Sequence, residues 1–490
     1  MANLKVLAQD TVIYGLSSIV PRFLNYLLVP LYTYTLKKCA DYGVYNDLYS
    51  QTAILLIILT FGMETTFFRF INKEKGDKTT IYSTTLIMVG SVCLSFVALV
   101  LLFINPIASA LGYPDHKWYI IVMYITVAQD AIQAIPFAYL RYQHRPIKFA
   151  TLKLIFITLN ISLNLIAFWL MPKINPTWEV NVGYAFAINL FCTSTISILM
   201  IRELMGFKWR FDKEKCRAML AYTWPLLVLG AMGILNQVAG QILLPRVLET
   251  ENGRHQLGIY GACLKVAMIM VVLNQAFRYA YEPMVFKNEE DRKNKELQSQ
   301  AMKYLIIMLL LAFLFVTGYI HILKRLVGEN YHEGLIIVPI SMVAEMLMAI
   351  SFNLSYWYKL IDQTWWGAIF SGAGCIALFT INFIFIPKYG YVACAWAALA
   401  AYTVVTLLSY FIGQKKNPIK YPLRDIGIYV AIAALFFVIM TWSNNHLSKW
   451  VAMGVNTVVL ALFVAHIIHY DLPLSSLPVI GRYFKKSQLN

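Results

Sequence analysis

Apolar residues follow one another along the chain in long runs, each about 20 residues or more, and short polar breaks separate the runs. A run of this length predicts a helix that crosses a lipid bilayer. The polar breaks are too short to fold into a separate catalytic domain. The pattern predicts fourteen spans, which we number 1 to 14 in chain order: 9–36, 42–70, 79–104, 117–141, 146–171, 180–203, 217–247, 257–286, 301–323, 333–361, 363–387, 390–414, 422–443 and 448–470.

Composition agrees with this pattern, because 59% of the 490 residues are apolar and only 13% are charged. A soluble domain carries about 25% charged residues. The composition excludes a soluble enzyme, a disordered chain and a collagen-like rod, and it predicts an all-α polytopic membrane protein. The seven cysteines form no C-x-x-C pair, and His466 and His469 have no further ligand at a suitable spacing. We therefore expect neither a metal site nor a cofactor.

Basic residues are distributed unevenly between the two sides of the predicted spans. Of the 41 lysines and arginines, 28 lie in segments on the side of the N-terminus and 10 on the opposite side. Because cytoplasmic loops are enriched in Lys and Arg, both termini are predicted to be cytoplasmic. We call the opposite side the outer end. The net charge of +16 is thus a signal of topology, and no loop is large enough for a nucleic-acid-binding face.

An internal repeat is indicated by an offset of 215 residues, which places several landmarks of the first half on the same residue types of the second half. Six spans separate paired landmarks, so both halves have the same orientation and are related by an axis along the membrane normal. The landmark pairs are Gly15 and Gly230, Pro30 and Pro245, Gly43 and Gly258, Tyr45 and Tyr260, and the acids Asp130 and Glu345. The predicted units are an N-terminal bundle at 1–203, a cytoplasmic linker at 204–216, a C-terminal bundle at 217–414, spans 13 and 14 at 415–470, and a cytoplasmic tail at 471–490.

Several polar and cationic side chains lie deep inside predicted spans 1, 7 and 8. A charge at the centre of a bilayer costs about 2.5–3.5 kcal/mol on insertion scales, so such a residue usually faces a cavity or a partner. Hydrogen bonds between helices explain the uncharged members of the set equally well. The residues that we predict to line a substrate-binding cavity are Arg22, Asn25, Tyr26, Asn236, Gln237, Gln241 and Lys265.

Acidic residues inside the spans suggest two further roles. Asp130 and Glu345 lie in the middle of spans 4 and 10, where either structural hydrogen bonding or coupling to an H⁺ or Na⁺ gradient explains them. Glu64 in span 2 and Arg278 in span 8 lie at similar depth toward the cytoplasm. They could pair across the cleft and close a cytoplasmic gate in an outward-facing state. The alternative is a local pair between Arg278 and Glu282, one helical turn apart.

Short motifs spread over most of the first 415 residues resemble the bacterial polysaccharide transporters, the O-antigen-type flippases. These flippases belong to the multidrug/oligosaccharidyl-lipid/polysaccharide exporter superfamily. The order and spacing of the motifs carry the resemblance more than any one of them does. They are Pro21-Arg22-Phe23-Leu24-Asn25, Pro30-Leu31-Tyr32-Thr33, Asp41-Tyr42-Gly43-Val44-Tyr45, Phe61-Gly62-Met63-Glu64, Phe68-Arg69-Phe70, Gln275-Ala276-Phe277 with Pro283, and Asn382 with Pro387-Lys388-Tyr389-Gly390-Tyr391.

The resemblance implies a fold of 6 + 6 + 2 helices and a non-enzymatic function. The implied substrate is an oligosaccharide on polyprenyl diphosphate, flipped from the inner to the outer leaflet of the bacterial cytoplasmic membrane for O-antigen, lipopolysaccharide or another surface polysaccharide. Arg22 matches the arginine that these flippases place in a cationic cavity, and Lys265 matches a position that is basic in related peptidoglycan-precursor flippases. Membrane lipids, a polysaccharide polymerase and other glycan-assembly proteins are the expected partners.

Other function classes stay open at this stage. A multidrug exporter or a peptidoglycan-precursor exporter would share the superfamily fold. A membrane polysaccharide polymerase or ligase would need a large outer loop with catalytic residues, and the outer breaks span only about a dozen residues. No phosphate-binding glycine loop or nucleophile motif occurs in the sequence.

Overall fold

The structure is a computed structural model that describes residues 24, 26, 28–73, 78–205, 209–287, 291–361 and 363–471, with the backbone alone at 280, 282, 283, 286, 287 and 291–294. Within these ranges all long elements are helices and no strand is present. The α-helices of eight residues or more are α1 (Leu28–Thr35), α2 (Cys39–Thr60), α3 (Met63–Lys73), α4 (Lys78–Leu102), α5 (Lys117–Tyr142), α6 (Pro146–Leu165), α7 (Gly183–Leu199), α8 (Lys213–Val247), α9 (Thr250–Ala267), α10 (Ile269–Lys287), α11 (Asp291–Gly318), α12 (Ile337–Leu354), α13 (Trp365–Tyr389), α14 (Tyr391–Lys416), α15 (Leu423–His446) and α16 (Lys449–Tyr470).

Shorter helical segments extend or connect these helices. They are the α-helical segments Ile104–Ala110, Met171–Ile174, Ile201–Met205, Ile320–Leu323 and Tyr356–Leu360, the π-helix Ile166–Leu170, and the 3₁₀ segments Lys324–Leu326 and Glu329–Ile336. Spans 2, 5, 6, 8, 9 and 10 are therefore not single continuous α-helices, a feature that the sequence pattern did not predict.

Eleven helices of the described residues are long and apolar enough to cross a membrane. A twelfth is formed by α9 and α10 if this pair, bent by 42°, is counted as one span. The chain is thus an all-α polytopic membrane protein. The helix α7 is apolar but has only 17 residues, and most of span 1 lies outside the described residues. The predicted number of fourteen spans therefore stays a prediction.

The break inside span 2 has a local cause. Phe61 and Gly62 both have positive φ, 34° and 73°, and the Phe61 amide donates to the carbonyl of Ile57 to end α2. The left-handed conformation suits glycine, because a side chain would clash with the backbone there. This break divides span 2 into α2 and α3, which together still form one candidate membrane span of 35 residues.

Most contacts between helices lie within one half of the chain, and few helices join the two halves. In the first half, α5 packs against α2, α4, α6 and α7, and in the second half α14 packs against α8, α12 and α13. The main junction between the halves is made by α2, which packs on α8 and on α9. The helices α15 and α16 pack on α11. The two six-helix bundles remain a prediction, but this contact pattern supports it.

The crossing of α2 and α9 is built around two glycines that are equivalent in the repeat. A Cβ atom on Gly43 would lie 1.9 Å from the backbone oxygen of Arg254, and a Cβ atom on Gly258 would lie 2.0 Å from that of Cys39. Adding 215 to 39 and 43 gives 254 and 258, so the repeat relates the first contact to the second. Reciprocal contacts of this kind are what a two-fold axis between the helices generates.

The helix α8 belongs to both halves of the chain. Asp212 caps its N-terminus by accepting hydrogen bonds from the amides of Glu214 and Lys215, both at 3.0 Å. Met219 is fully buried in an apolar cluster of first-half residues. Farther along, the helix packs on α13 and α14 of the second half. The change of partner occurs beyond the predicted linker at 204–216.

Candidate functional site

A central cavity of about 350 Å³ lies between the two halves. The helices α2, α8, α9, α10 and α12 contribute to its wall. Most of its polar side chains are amides and tyrosines, together with two cations and one acid. The polar and charged residues of the wall are Tyr45, Asn46, Tyr49, Ser50, Gln237, Gln241, Lys265, Asn274, Gln275, Arg278 and Glu345.

Lys265 is the predicted cavity cation that falls within the described residues, and it lies on the cavity wall. It is only partly exposed and forms no hydrogen bond or ion pair with any side chain that the structure describes. Lys265 is eight residues from the predicted outer end of span 8, about 12 Å deep in a hydrocarbon core about 30 Å thick. A cation at this depth favours an anionic partner, and the cavity gives that partner a place.

Glu345, on α12, lines the same cavity. Its Oε2 atom is buried and has no hydrogen-bond partner among the described groups. Tyr402 on α14 also has a buried hydroxyl without such a partner. The sequence left Glu345 open between structural hydrogen bonding and coupling. A carboxylate oxygen without a hydrogen bond is costly as a purely structural feature, so this environment favours the second alternative.

The polar patch predicted on span 7 is divided by the structure. Gln237 and Gln241 line the central cavity, and Gln241 accepts a hydrogen bond of 3.0 Å from Ser50 of the first half. Asn236 instead faces a separate pocket between α8, α12, α13 and α14, where it donates to the carbonyls of Ser371 (2.9 Å) and Met232 (3.2 Å). Gln237 lines this pocket as well as the central cavity. Neighbouring residues of a helix point about 100° apart, which explains why Gln237 reaches the central cavity and Asn236 does not.

The residues predicted on span 1 are only partly described. Arg22 and Asn25 lie outside the described residues, so their place in the cavity stays a prediction. Tyr26 lies on the wall of a lateral pocket between α1, α9, α10 and the outer end of α11. This pocket has a volume of about 250 Å³, and Lys265 lies on its wall as well.

A second cavity of about 590 Å³ lies within the first half, between α2, α5 and α6. It contains Asp130, which accepts a hydrogen bond of 3.3 Å from Thr193. The Lys153 ammonium, on the same wall, interacts electrostatically with this carboxylate. Five residues of this cavity match residues of the central cavity at the offset of 215: Leu56 and Val271, Thr60 and Gln275, Asp130 and Glu345, Gln133 and Met348, and Phe137 and Phe352.

The predicted gate residues have other neighbours in this conformation. Glu64 forms an ion pair with Arg141, and the Arg278 guanidinium lies 4.7 Å from the centre of the Phe352 ring. Glu282 lies on α10, and its side chain is outside the described residues. Because the gate is predicted for an outward-facing state, the pairing of Glu64 with Arg278 stays a prediction, as does the local alternative with Glu282.

Toward the outer end, a polar network joins the two halves of the chain, and sequence reasoning missed it. Asp47 on α2 is 2% exposed and pairs with Arg246 on α8 at 3.0 Å. The Tyr113 hydroxyl donates to the same carboxylate at 2.8 Å. Arg254 on α9 lies 4.0 Å from the Tyr113 ring centre and donates to the carbonyl of Gly112 at 2.6 Å.

Burial raises the pKa of Tyr113 well above its usual value, and the Asp47 carboxylate adds to the shift. The phenol therefore stays protonated and remains a hydrogen-bond donor in this network. We call the network, together with the crossing of α2 and α9 at Gly43 and Gly258, the outer seal. An acid near the outer end of span 2 and a base near the outer end of span 7 were the available sequence signals, but nothing in one sequence indicates that they pair.

Comparison with known proteins gives the family. Residues 7–289, more than half of the chain, match the family described as "Polysaccharide biosynthesis protein". The chain belongs to this family. The match confirms the resemblance drawn from the motifs. A comparison with curated protein sequences returns no match.

Solved structures share the fold of this polysaccharide biosynthesis family member. "Lipid II flippase MurJ, inward closed conformation" aligns with a TM-score of 0.73 and 14% identity over 94% of this chain and 99% of that chain. An inward-facing multidrug resistance MATE family transporter of the MOP superfamily aligns with a TM-score of 0.61 and 14% identity over 83% and 94%. An outward-facing conformation of a MATE family transporter aligns at 0.57 and 13% over 84% and 95%. At these identities the likeness establishes the fold.

Proposed function

We propose that the protein is a flippase that moves an oligosaccharide on polyprenyl diphosphate from the inner to the outer leaflet by alternating access. The observation that carries the proposal is Lys265, a cation without a partner among the described groups, on the wall of a polar cavity at membrane depth. Membership of the polysaccharide biosynthesis family supports a glycan substrate. The fold shared with MurJ, which is titled a lipid II flippase, supports transport of a lipid-linked one.

The chemistry of the cavity wall suits both parts of such a head group. A diphosphate carries about two negative charges, which Lys265 and the predicted Arg22 can neutralise. Sugar hydroxyls both donate and accept hydrogen bonds, and the amides of Gln237, Gln241 and Asn274 offer both functions. Translocation requires no covalent step, so the proposal includes neither a catalytic residue nor a cofactor.

The outer seal gives the proposed cycle a starting state. Because α2 and α9 are in backbone contact at the outer end, we place the loading of the central cavity at the inner end. Release to the outer leaflet then requires that Asp47 and Arg246 separate. We assign the energy for the cycle to an H⁺ or Na⁺ gradient acting on Asp130 or Glu345. The inner membrane, cytoplasmic termini, O-antigen or lipopolysaccharide assembly, and a polymerase as partner belong to this proposal as well.

A second candidate is an exporter of cationic drugs with the MATE fold. The observation that favours it is Glu345, an acid in a cavity that also carries aromatic side chains such as Tyr45, Tyr49 and Phe352, because cationic ligands bind acids and aromatic faces. A peptidoglycan-precursor exporter is a third, given the likeness to MurJ. Lys265 in the same cavity favours an anionic substrate over a cationic drug.

Purified protein in vesicles that contain a fluorescent lipid-linked oligosaccharide tests the proposal directly. The rate at which the sugar becomes accessible on the opposite leaflet is measured for the unmodified chain and for Lys265→Ala, Lys265→Arg and Arg22→Ala. We expect both alanine variants to lose at least about tenfold in rate, the cost of one charge-assisted contact, and Lys265→Arg to retain more activity.

Lys173 supplies the matched control, because it is exposed and does not line the central cavity, so Lys173→Ala should flip at the unmodified rate. Flipping that is unaffected by Lys265→Ala would remove the assigned role of Lys265. Export of a cationic dye, with no flipping of lipid-linked sugar, would favour the drug exporter.

A further inference from the structure

Glu345 lies where two internal spaces of the protein approach each other. The first is the central cavity, whose wall includes Glu345. The second is the pocket between α8, α12, α13 and α14 that contains Asn236. Both walls include Gln237, Met348 and Phe352. Because Met348 and Phe352 follow Glu345 by three and seven residues, all three lie on the same face of α12.

Hydroxyl groups dominate the polar part of this second pocket, which we call the hydroxyl pocket. Tyr402 and Ser409 are 7% and 2% exposed, and their hydroxyls have no hydrogen-bond partner among the described groups. Buried polar groups are normally satisfied by the protein or by ordered water. A volume of about 90 Å³ accommodates roughly three water molecules at about 30 Å³ each, so water fits these groups. The hydroxyl-bearing residues of the wall are Ser351, Ser355, Tyr358, Ser371, Tyr402 and Ser409.

The hydroxyl pocket extends from the depth of Glu345 toward the inner end of the second half. Its residues on span 10 run from Met348 to Tyr358, about 15 Å along a helix. At one end, the Tyr402 phenol interacts electrostatically with the Glu345 carboxylate. At the other end, the ring centres of Tyr358 and Phe370 lie 6.2 Å apart. Since a hydroxyl both donates and accepts hydrogen bonds, a row of hydroxyls and water can pass a proton along the pocket.

Other titratable groups face Glu345 from the helices that pack on α12. Tyr260 on α9 and Tyr402 on α14 interact electrostatically with its carboxylate. Lys265 on α9 and Arg278 on α10 lie on the same cavity wall. Two further elements pack on α12, namely α11 and the 3₁₀ segment Glu329–Ile336, and neither contributes a described residue to that wall. The cations favour the carboxylate and burial favours the neutral acid, an opposition that suits reversible protonation.

We propose that Glu345 is the acid that couples transport to a proton gradient, and that it releases its proton to the cytoplasm through Tyr402 and the hydroxyl pocket while the outer end is closed. This inference rests on the proposed function and adds the route of the driving ion. In the transfer, the acid proton passes to the Tyr402 oxygen while the Tyr402 hydroxyl gives its own proton to a water molecule of the pocket. The products are a carboxylate, an unchanged phenol and a hydronium ion, whose proton the next water or hydroxyl accepts.

A separate route allows the proton and the substrate to be present at the same time. In the proposed function the head group occupies the central cavity, so a proton that left through that cavity would compete with it. Release through the hydroxyl pocket removes this competition. Asp130 is less suited to coupling, because its carboxylate accepts a hydrogen bond from Thr193 and interacts with Lys153. We therefore assign the coupling to Glu345.

Flipping with and without an imposed gradient tests the route. The full chain is reconstituted in vesicles with the fluorescent lipid-linked oligosaccharide, and a pH-sensitive dye inside the vesicles measures proton uptake. A pH gradient should accelerate flipping by the unmodified chain. Tyr402→Phe should remove this acceleration and lower proton uptake at least about tenfold, a modest part of what one proton-transfer group contributes, yet flip at the unmodified rate without a gradient. Ser409→Ala should have a smaller effect in the same direction, because water can replace its hydroxyl.

Two substitutions are matched controls that should keep the acceleration. Tyr410→Phe removes a phenol hydroxyl from the same helix, α14, at a position that lines neither space. Ser443→Ala removes a buried serine hydroxyl of α15 that also has no partner among the described groups. If Tyr402→Phe and Ser409→Ala keep the acceleration as well, the route is wrong. The same holds if a Na⁺ gradient accelerates flipping and a pH gradient does not. Neither result touches the proposed function, which the rate without a gradient tests separately.

Radiolytic hydroxyl-radical labelling of the full chain in nanodiscs tests the water without any transport. Radicals formed from bound water oxidise the side chains next to it. Phe370 is 1% exposed and lines the hydroxyl pocket, whereas Phe463 is 0% exposed and lies in an apolar cluster. We expect oxidation of Phe370 and none of Phe463. Oxidation of neither ring would mean that the pocket holds no water and would overturn the inference.

Discussion

Helices α2 and α9 touch backbone to backbone at the outer end, whereas their inner continuations α3 and α10 pack on different neighbours. At the outer end the contact needs the missing side chains of Gly43 and Gly258. Toward the inner end, α3 packs on α4, α5 and α8, while α10 packs on α11 and α12. The outer closure thus depends on shape and on an ion pair with one buried member, Asp47, and the inner side depends on charged side chains that can exchange partners.

This difference indicates which kinds of contact stabilise the outer-closed and the inner-closed states of an alternating-access protein. A backbone contact has one geometry and fails abruptly when a side chain intrudes. A pair such as Glu64 with Arg141 can be replaced by another pair at small cost. We therefore expect substitutions at the outer end to have larger effects than substitutions at the inner end.

The largest effect is expected from Gly258→Leu. Its new side chain would collide with the Cys39 carbonyl, and overpacking at a rigid contact costs about 1–3 kcal/mol. The equilibrium ratio of outer-closed to outer-open molecules should therefore fall roughly 5- to 150-fold, and flipping should fall with it. A cysteine introduced at Gln241 should become reactive to an impermeant maleimide added outside.

Gly90 provides the control for that substitution, since a Cβ atom at this position has no neighbour within 4 Å. Gly90→Leu should leave both the maleimide reaction and the flipping rate unchanged. Normal transport by Gly258→Leu would show that the crossing of α2 and α9 is not the closure.

A smaller effect is expected from the ion pair of the outer seal. Arg246→Ala leaves the buried carboxylate of Asp47 with Tyr113 as its remaining donor among the described groups. Because the Arg246 side chain is 31% exposed, solvent offsets part of the loss, and we expect about 1–2 kcal/mol. Thermal unfolding and the same maleimide assay measure it.

A double-mutant cycle isolates the pair from other consequences of each change. Asp47→Asn in the Arg246→Ala background should cost less than Asp47→Asn alone, since no charge is then left unpaired. Fully additive effects would argue against a direct contribution of the pair to closure.

At the inner end, exchange of partners should be measurable as a modest change in cross-linking. Cysteines at positions 64 and 278 should cross-link when the cavity opens outward, and the Gly258→Leu background should increase the yield. The expected increase is two- to fivefold, because exposed pairs are worth about 0.2–1 kcal/mol. Cysteines at 278 and 282 report the local alternative, and cross-linking there alone would contradict the gate.

The smallest effects are expected at the two acids that the repeat relates. Glu345→Gln removes a carboxylate with an unsatisfied oxygen, so it should stabilise the protein by about 0.5–1 kcal/mol. Asp130→Asn removes the carboxylate that interacts with Lys153, so it should destabilise the protein by a similar amount. Thermal unfolding of both variants measures the sign of the change in stability for each. The same sign for both would contradict the different environments assigned to Asp130 and Glu345.

An experimental structure would test the symmetry that underlies this pairing. Superposing spans 1 to 6 on spans 7 to 12 should bring Asp130 and Glu345 within one helical turn of each other. A larger separation would mean that the offset of 215 does not describe the three-dimensional repeat.

Sequence reasoning predicted the helical fold well because bilayer thickness imposes a length on every span. The starts of α4 and α5 at Lys78 and Lys117 lie within a residue of the predicted spans. The breaks at Gly62 and Met268 were not predicted, since they depend on local backbone geometry inside apolar runs where hydropathy does not change.

The candidate site was predictable where a residue type alone is informative. Lys265 was found because a lysine deep in a span is costly, and the structure puts it on two cavity walls. Asn236 was assigned to the substrate cavity because the rotation of α8 about its axis cannot be derived from polarity, and the structure places it on a neighbouring pocket instead. The pair of Asp47 with Arg246 was missed because its members are 199 residues apart, and one sequence contains no information on which distant charges meet.

Because α8 packs against both halves of the chain, the first half cannot complete its folding before the start of α8 has been synthesised. Met219 fills a position among first-half side chains such as Leu59, Phe67 and Ile71, yet it follows them by about 150 residues of synthesis. A ribosome that has finished span 6 has therefore delivered a first half whose interior still lacks side chains of α8 such as Met219 and Thr223. Translation of the beginning of the second half completes it, so maturation of the first half waits for the early part of the second, and the two cannot be made as independent pieces divided at the linker without leaving that gap.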